Sequence, residues 1–214
     1  ADLERLMTRA VYGSATPKEI YTMAQTCERL PELRAQAESC SCPELTALAG
    51  QIDLLDDVKT AILAAIDPEA PSTLKDGGVI RPGYDTELDS LREIVHNTKG
   101  VLASIEAKER ERTGIKNLKI GFNNVFGYYL EVTKSFLSQV PPEYIRKQTL
   151  TGSERYITQE LKELEQQILG ARDKILVLEN QLFDRVRAQV AEQIHRVQST
   201  ANAIAWLDLH ARFA

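Results

Sequence analysis

Cysteine is scarce in this chain: three residues in 214, at Cys27, Cys40 and Cys42. So sparse and odd a set is no disulfide framework and fits a reducing compartment. Long apolar runs are missing too. Nothing approaches the roughly 20 residues of a membrane-spanning helix, and the N-terminus lacks the pattern of a secretion signal. A cytoplasmic protein with no membrane partner is expected. Histidine occurs three times, as His96, His195 and His210, each isolated on a helical stretch. Cys40-Ser-Cys42 has no histidine near it, so these thiols read as reduced and structural, not as a metal site. Neither a phosphate-cradling G-x-x-x-x-G-K-[ST] loop nor a dinucleotide-binding glycine pattern is present. Nucleotide hydrolysis and catalysis in general are therefore not expected of this chain. Its first residue is alanine rather than methionine, which fits a piece of a longer protein.

What is present suffices for a real core: 43% of residues are hydrophobic and 27% charged. The length suits one large domain or two small ones. A net charge of −5 argues against nucleic acid if taken globally. Locally the balance reverses. Residues 113–157 hold six cations (Lys116, Lys119, Lys134, Arg146, Lys147, Arg155) against three anions (Glu131, Glu143, Glu154), a balance of +3 that leaves −8 elsewhere. A basic segment on an acidic body is the asymmetry a phosphate-binding module needs, and chance clustering of solvated charges gives the same count.

The pattern is helical on both sides of that segment. Short helices are expected from residue 2 to about 12, from Thr16-Pro17 to about Leu30, from Pro31 to about Cys40, from Pro43, and from Leu54 to Ile66. Asp53, Asp56 and Asp57 read as a cap at the last of these starts. Asp76-Gly77-Gly78 is a turn, followed by a brief extended segment at residues 79–81. A long helix is expected from about Asp85 to Arg112. Its stripe, Leu88, Leu91, Val95, Thr98, Leu102, Ile105 and Glu109, repeats in steps of 3 and 4. A second is expected from about Thr158 to Ser199, with the stripe Leu161, Leu164, Ile168, Ala171, Ile175, Leu178 and Leu182. Such seams suit a coiled coil, antiparallel here, of roughly 40 Å and roughly 60 Å rods. Beyond Leu182 the step becomes 4, which suggests a change of partner. Residues 202–213 read as a last apolar helix. The alternating charges of Glu106 to Arg112 read as a self-paired, solvated face.

Between the long helices the period changes to two. Residues 118–122 and 126–132 alternate around Asn123-Asn124 and read as a β-hairpin, with Phe126, Tyr128 and Leu130 on one buried face. Residues 146–150 and 154–157, around Thr151-Gly152-Ser153, read as another. This second hairpin holds the candidate binding residues. Arg146, Lys147 and Arg155 offer charge, Gln148, Thr149, Thr151 and Ser153 offer neutral donors, and Gly152 allows close backbone approach. That mixture suits gripping phosphates without reading bases; it equally suits a polar, solvated hairpin. Stacking of Tyr128, Tyr129 or Tyr156 on bases is a further option.

The segment from Glu109-Arg-Glu-Arg-Thr-Gly-Ile-Lys-Asn-Leu through Gly127-Tyr-Tyr-Leu-Glu-Val132 closely resembles the lever-to-clamp junction of the MutS family of DNA mismatch-recognition proteins. So do Tyr144-Ile-Arg-Lys-Gln-Thr-Leu150 and Glu154-Arg-Tyr-Ile-Thr-Gln-Glu-Leu-Lys-Glu163. The opening Asp2-Leu-Glu-Arg-Leu6, Leu30-Pro-Glu-Leu33 and Ile80-Arg-Pro-Gly-Tyr-Asp85 are similar to the family's core. The resemblance implies a mostly α fold. Residues 1–112 and 158–214 would form a helical core and lever with a long antiparallel two-helix arm, and residues 113–157 a β-rich clamp. It implies sequence-independent contact with the backbone of double-stranded DNA through Arg146, Lys147, Thr149, Thr151, Gly152, Ser153 and Arg155. Some relatives carry Lys-Asn where this chain has Thr151-Gly152. The family's Phe-x-Glu mismatch reader and its nucleotide-binding motifs are absent from this sequence. No cofactor is therefore expected here, while a longer parent would dimerise, bind ATP and magnesium, and work on the bacterial nucleoid. The alternative is a coiled-coil arm that docks a partner protein.

Overall fold

The proline and threonine punctuation of the first 50 residues sets helix boundaries in the computed structural model, which describes residues 2–213. Helix α1 (Leu3–Val11) is capped by Asp2, whose carboxylate accepts the Arg5 amide at 3.0 Å. Thr16 and Glu19 close a capping box on α2 (Pro17–Cys27), with Pro17 at the first helical position. α3 (Leu30–Glu38) and α4 (Pro43–Ala49) follow. Asp56 and Asp57 fill the first turn of α5 (Asp56–Ala65), as the acidic cluster leads one to expect, but no aspartate supplies the cap. Its N-cap is Leu55, a buried residue in the left-handed region at φ 53°. The Asp53 carboxylate instead accepts the Leu55 amide at 2.9 Å and holds that turn. The extended segment is present as a bridge between Ile66 and Ile80. Gly77, at φ +73°, lies against the buried Glu179 carboxylate, which also accepts the Val79 amide at 3.3 Å.

Two compact units make up the chain: Ala1–Thr86 with Leu176–Ala214, and Glu87–Ile175. In the first, α2 packs on α1 and α5, α9 (Ile194–Phe213) packs on α1 and α4, and Met7, Ile20, Met23, Ile62 and Phe183 are fully buried. Cys27 lies inside this core, and burial pushes its thiol pKa up to about 11, so it is inert at neutral pH.

The long helices are interrupted where the sequence predicts continuity. The first is split into α6 (Thr86–His96) and α7 (Thr98–Thr113) by Asn97, whose side chain leans over Gly100. The second is α8 (Gln159–Ala191), and the break comes at residues 192–193 rather than after Ser199. Here Arg196 draws the chain across to α5: it meets Asp53 and Asp57 at 2.7 Å each. The last helix thus starts at Ile194, eight residues before the expected Asn202. The stripes themselves hold. Every residue named in both is buried or half-buried.

The second unit carries one antiparallel sheet of four strands in the order β1-β2-β4-β3. These are β1 (Lys119–Asn123), β2 (Gly127–Thr133), β3 (Ile145–Thr149) and β4 (Ser153–Ile157). Both expected hairpins form, and β2 pairs with β4 to join them. One sheet face buries Leu130, Val132 and Tyr156 against Ile105 of α7, Ile115, Leu118 and Leu161 of α8. Phe126 is not on that face. Gly127, at φ +76°, resets the alternation, so Phe126 packs on Tyr129 on the other side.

Candidate nucleic-acid interface

Edge strand β3 presents the candidate residues. All five of its residues are exposed. A bulge between Arg146 and Gln148 leaves Lys147 with no partner in the ladder. Bulges and lysines are how proteins keep an open edge from pairing with other strands, and here the bulge also turns a lysine outward. Arg146 reaches back to Glu154 at 3.4 Å but remains largely exposed. Thr149, Thr151 and Gly152 are exposed at the β3–β4 turn. A side chain at Gly152 would meet nothing, so the backbone there does not require glycine.

Ser153 and Arg155 point elsewhere. Ser153 is buried, and its hydroxyl donates to Glu131 Oε1 at 3.1 Å. Arg155 Nε donates to Glu131 Oε2 at 3.0 Å, and its Nη1 donates to Gln148 Oε1 at 3.0 Å. Its guanidinium stacks over the Tyr129 ring at 4.4 Å. Tyr129 in turn lies flat across Gly121, where any Cβ would strike the ring. So this face bears a layered patch whose members fix one another.

The tyrosines are structural in this arrangement. Tyr156 is buried, and its hydroxyl donates to Glu154. Burial, with the Glu154 carboxylate beside it, pushes the Tyr156 phenol up to about 12. Tyr128 packs edge-on to Phe122, with ring centroids 5.1 Å apart, against the core face.

Folding brings Lys134 to the candidate surface, a placement its position in the sequence conceals. It follows β2, yet its amide donates to the Gly152 carbonyl at 3.1 Å. That bond sets it beside the Thr151-Gly152 turn. A further signal is the charge run on α7, which does more than pair with itself. Glu106 pairs with Arg110 at 2.7 Å but also accepts the Ile120 amide at 2.8 Å. Arg110 donates to the Leu118 carbonyl at 2.7 Å. Together they pin the start of β1 to the helix. One turn on, Glu109 is buried and bonded by Arg112 and the Tyr144 hydroxyl, which pins the segment leading into β3.

The charge balance then becomes explicit. Each of the three acids in residues 113–157 is tied to an arginine: Glu131 to Arg155, Glu154 to Arg146, and Glu143 to Arg112 at 2.7 Å. Lys116, Lys119, Lys134 and Lys147 are exposed and form no ion pair among the described residues. Arg112 is shared between Glu143 and Glu109, so the +3 of residues 113–157 stands, and its cations that face water unpaired are these four lysines.

Residues 83–174 match the pattern of MutS family domain IV. The likeness extends beyond it. The whole chain is 48% identical to the DNA mismatch repair protein MutS of Symbiobacterium thermophilum, and covers 24% of that protein. It is 46% identical to those of Ruminiclostridium cellulolyticum and Lachnoclostridium phytofermentans, covering 24% and 23% of them. The chain belongs to the MutS family. It spans about a quarter of the length of these curated relatives. The domain IV match contains the sheet, α7 and the four exposed lysines, so the basic surface lies within a recognised MutS segment. Among the described residues, no helix is long and apolar enough to cross a membrane, and no group of three or more potential ligands could hold a metal.

Proposed function

We propose that residues 113–157 are a clamp that grips the phosphates of double-stranded DNA without reading its sequence. In this reading residues 1–112 and 158–214 form the helical core and lever, with an antiparallel two-helix arm carrying the clamp. The buried stripes of α6, α7 and α8 support such an arm. The role is mechanical and not catalytic: contact with DNA is relayed along the lever to parts of a longer parent. That parent would dimerise, bring two clamps to one duplex and raise avidity. It would bind ATP and magnesium through residues outside this chain, since no phosphate-cradling loop occurs here. Its setting would be the bacterial cytoplasm, on the nucleoid.

One observation carries the reading: each acid of residues 113–157 is bonded to an arginine, while four exposed lysines form no ion pair among the described residues. Phosphate contacts release counterions, and four of them give a slope of log affinity against log salt of about −3 to −4. Arg146, Lys147, Thr149, Thr151 and Gly152 offer side chains or open backbone to that contact directly. Ser153 and Arg155 would contribute only on leaving Glu131.

The test is a duplex titration of the 214-residue chain and a K134E/K147E variant. Binding should fall at least roughly tenfold in the variant, with helicity by circular dichroism unchanged. Equal binding would remove these lysines from the interface. A protein-docking arm remains the second reading, because Val125 is 89% and Phe122 57% exposed at the β1–β2 turn. That reading predicts no affinity for duplex DNA at any salt concentration.

A further inference from the structure

Glu131 occupies the middle of a cross-strand row on the outer sheet face. Lys119 stands opposite it on β1, Arg155 on β4, and Gln148 beyond Arg155 on β3. Both oxygens of its carboxylate are engaged, one by the Ser153 hydroxyl and one by the Arg155 guanidinium. A hydroxyl and a guanidinium converging on two oxygens of one anion is the donor set that also suits a phosphate. The fork is aimed before any ligand arrives. Tyr129 supports its flat face, and Gln148 takes another of its N–H groups. The carboxylate is not sealed in, since the Glu131 side chain is 36% exposed.

We infer that Ser153 and Arg155 form a seat for one phosphate of the DNA backbone, and that Glu131 fills this seat in the free protein as a built-in competitor. The inference rests on the clamp reading above and adds how that site is regulated. Ion pairs this open to water are weakly held, so the carboxylate can swing out when a phosphate arrives. Lys119 then faces the incoming charge. Of the three charges Lys119, Glu131 and Arg155, the sum is +1 in the native chain and +2 where a neutral residue replaces Glu131. Glu131 therefore keeps the grip weak and reversible, as a part that must let go of DNA requires.

Glu131→Gln keeps the shape and removes the charge; Glu131→Thr, a good strand former, guards against a local folding effect. Both should bind duplex DNA roughly tenfold more tightly at low salt, the scale of one charge-assisted hydrogen bond. Their salt dependence should steepen by about one phosphate. Adding Arg155→Gln to Glu131→Gln should cancel the gain. Unchanged or weaker binding by both variants overturns the inference and leaves the clamp reading standing. Should neither the native chain nor the variants bind duplex DNA, the clamp reading fails. Inorganic phosphate then decides the seat alone, followed by the Arg155 Nε–H resonance. A saturable shift in Glu131→Gln and none in the native chain upholds it; no shift in either overturns it.

Discussion

Glu109 stands where the spacing of the α7 stripe would place an apolar residue, and it is buried there as the spacing demands. Burial alone would raise its pKa. Hydrogen bonds from Arg112 and Tyr144 outweigh that and hold it below the usual value of 4.5. A carboxyl lowered on folding contributes stability that is whole above its unfolded pKa and is lost as pH falls through the folded one. Glu109→Gln should therefore cost about 2 kcal/mol at pH 7 and flatten the acid side of the stability curve. Urea midpoints read on sheet amides at neutral and acid pH check both parts. Equal midpoints at pH 7 would make the network decorative. Gly127 also has a specific requirement. Its φ is positive, and a Cβ there would collide with the Glu165 carboxylate of α8. Gly127→Ala should destabilise the sheet by about 2 kcal/mol, and Glu165→Ala should recover part of that in a double-mutant cycle. Strict additivity would mean the collision is not what glycine avoids.

The elements differ in how plainly the sequence announces them. Alternation in Lys119–Phe122 and Tyr128–Val132 is enough to place β1 and β2, since one face must be dry. Phe126 escapes that logic because the left-handed Gly127 sits between it and the strand. The pairing of β2 with β4 leaves no local trace: it is fixed by Leu130 and Tyr156 meeting in the core, at residues far apart in sequence. The helix breaks are silent for a related reason. Neither Asn97 nor residues 192–193 include proline or glycine, and the second break answers to Asp53 and Asp57, more than 130 positions away. Those two carboxylates are held below the usual carboxylate range by hydrogen bonds from Arg196. Arg196→Ala should thus let the joint straighten toward one continuous helix. Hydrogen exchange at residues 192–197 should change, with a stability loss of only about 1 kcal/mol because the pairs are partly exposed. Unchanged exchange there would mean the break is intrinsic to the helix sequence.

For the molecule as a whole, charge is partitioned more sharply than its total suggests. A net −5 conceals a segment, residues 113–157, whose acids are bonded to arginines and whose exposed lysines are not paired. Composition alone places the positive segment, and the candidates Arg146, Lys147, Thr149, Thr151 and Gly152 do lie at an open edge. What it cannot reveal is which cations are spent internally. Arg155 stands in the sequence beside Arg146 and Lys147 as a source of charge and proves the most occupied of the three in the fold, whereas Lys134 becomes prominent only through its bond to Gly152. The proposed grip is therefore a lysine grip, diffuse and electrostatic, without base readout. The most direct measurement is the affinity of the 214-residue chain for a short duplex across a salt series, repeated with an unrelated base sequence. Binding at low salt, a log–log slope of about −3 to −4 and the same affinity for both duplexes are the expected results. No binding at low salt, or binding indifferent to salt, would contradict the account.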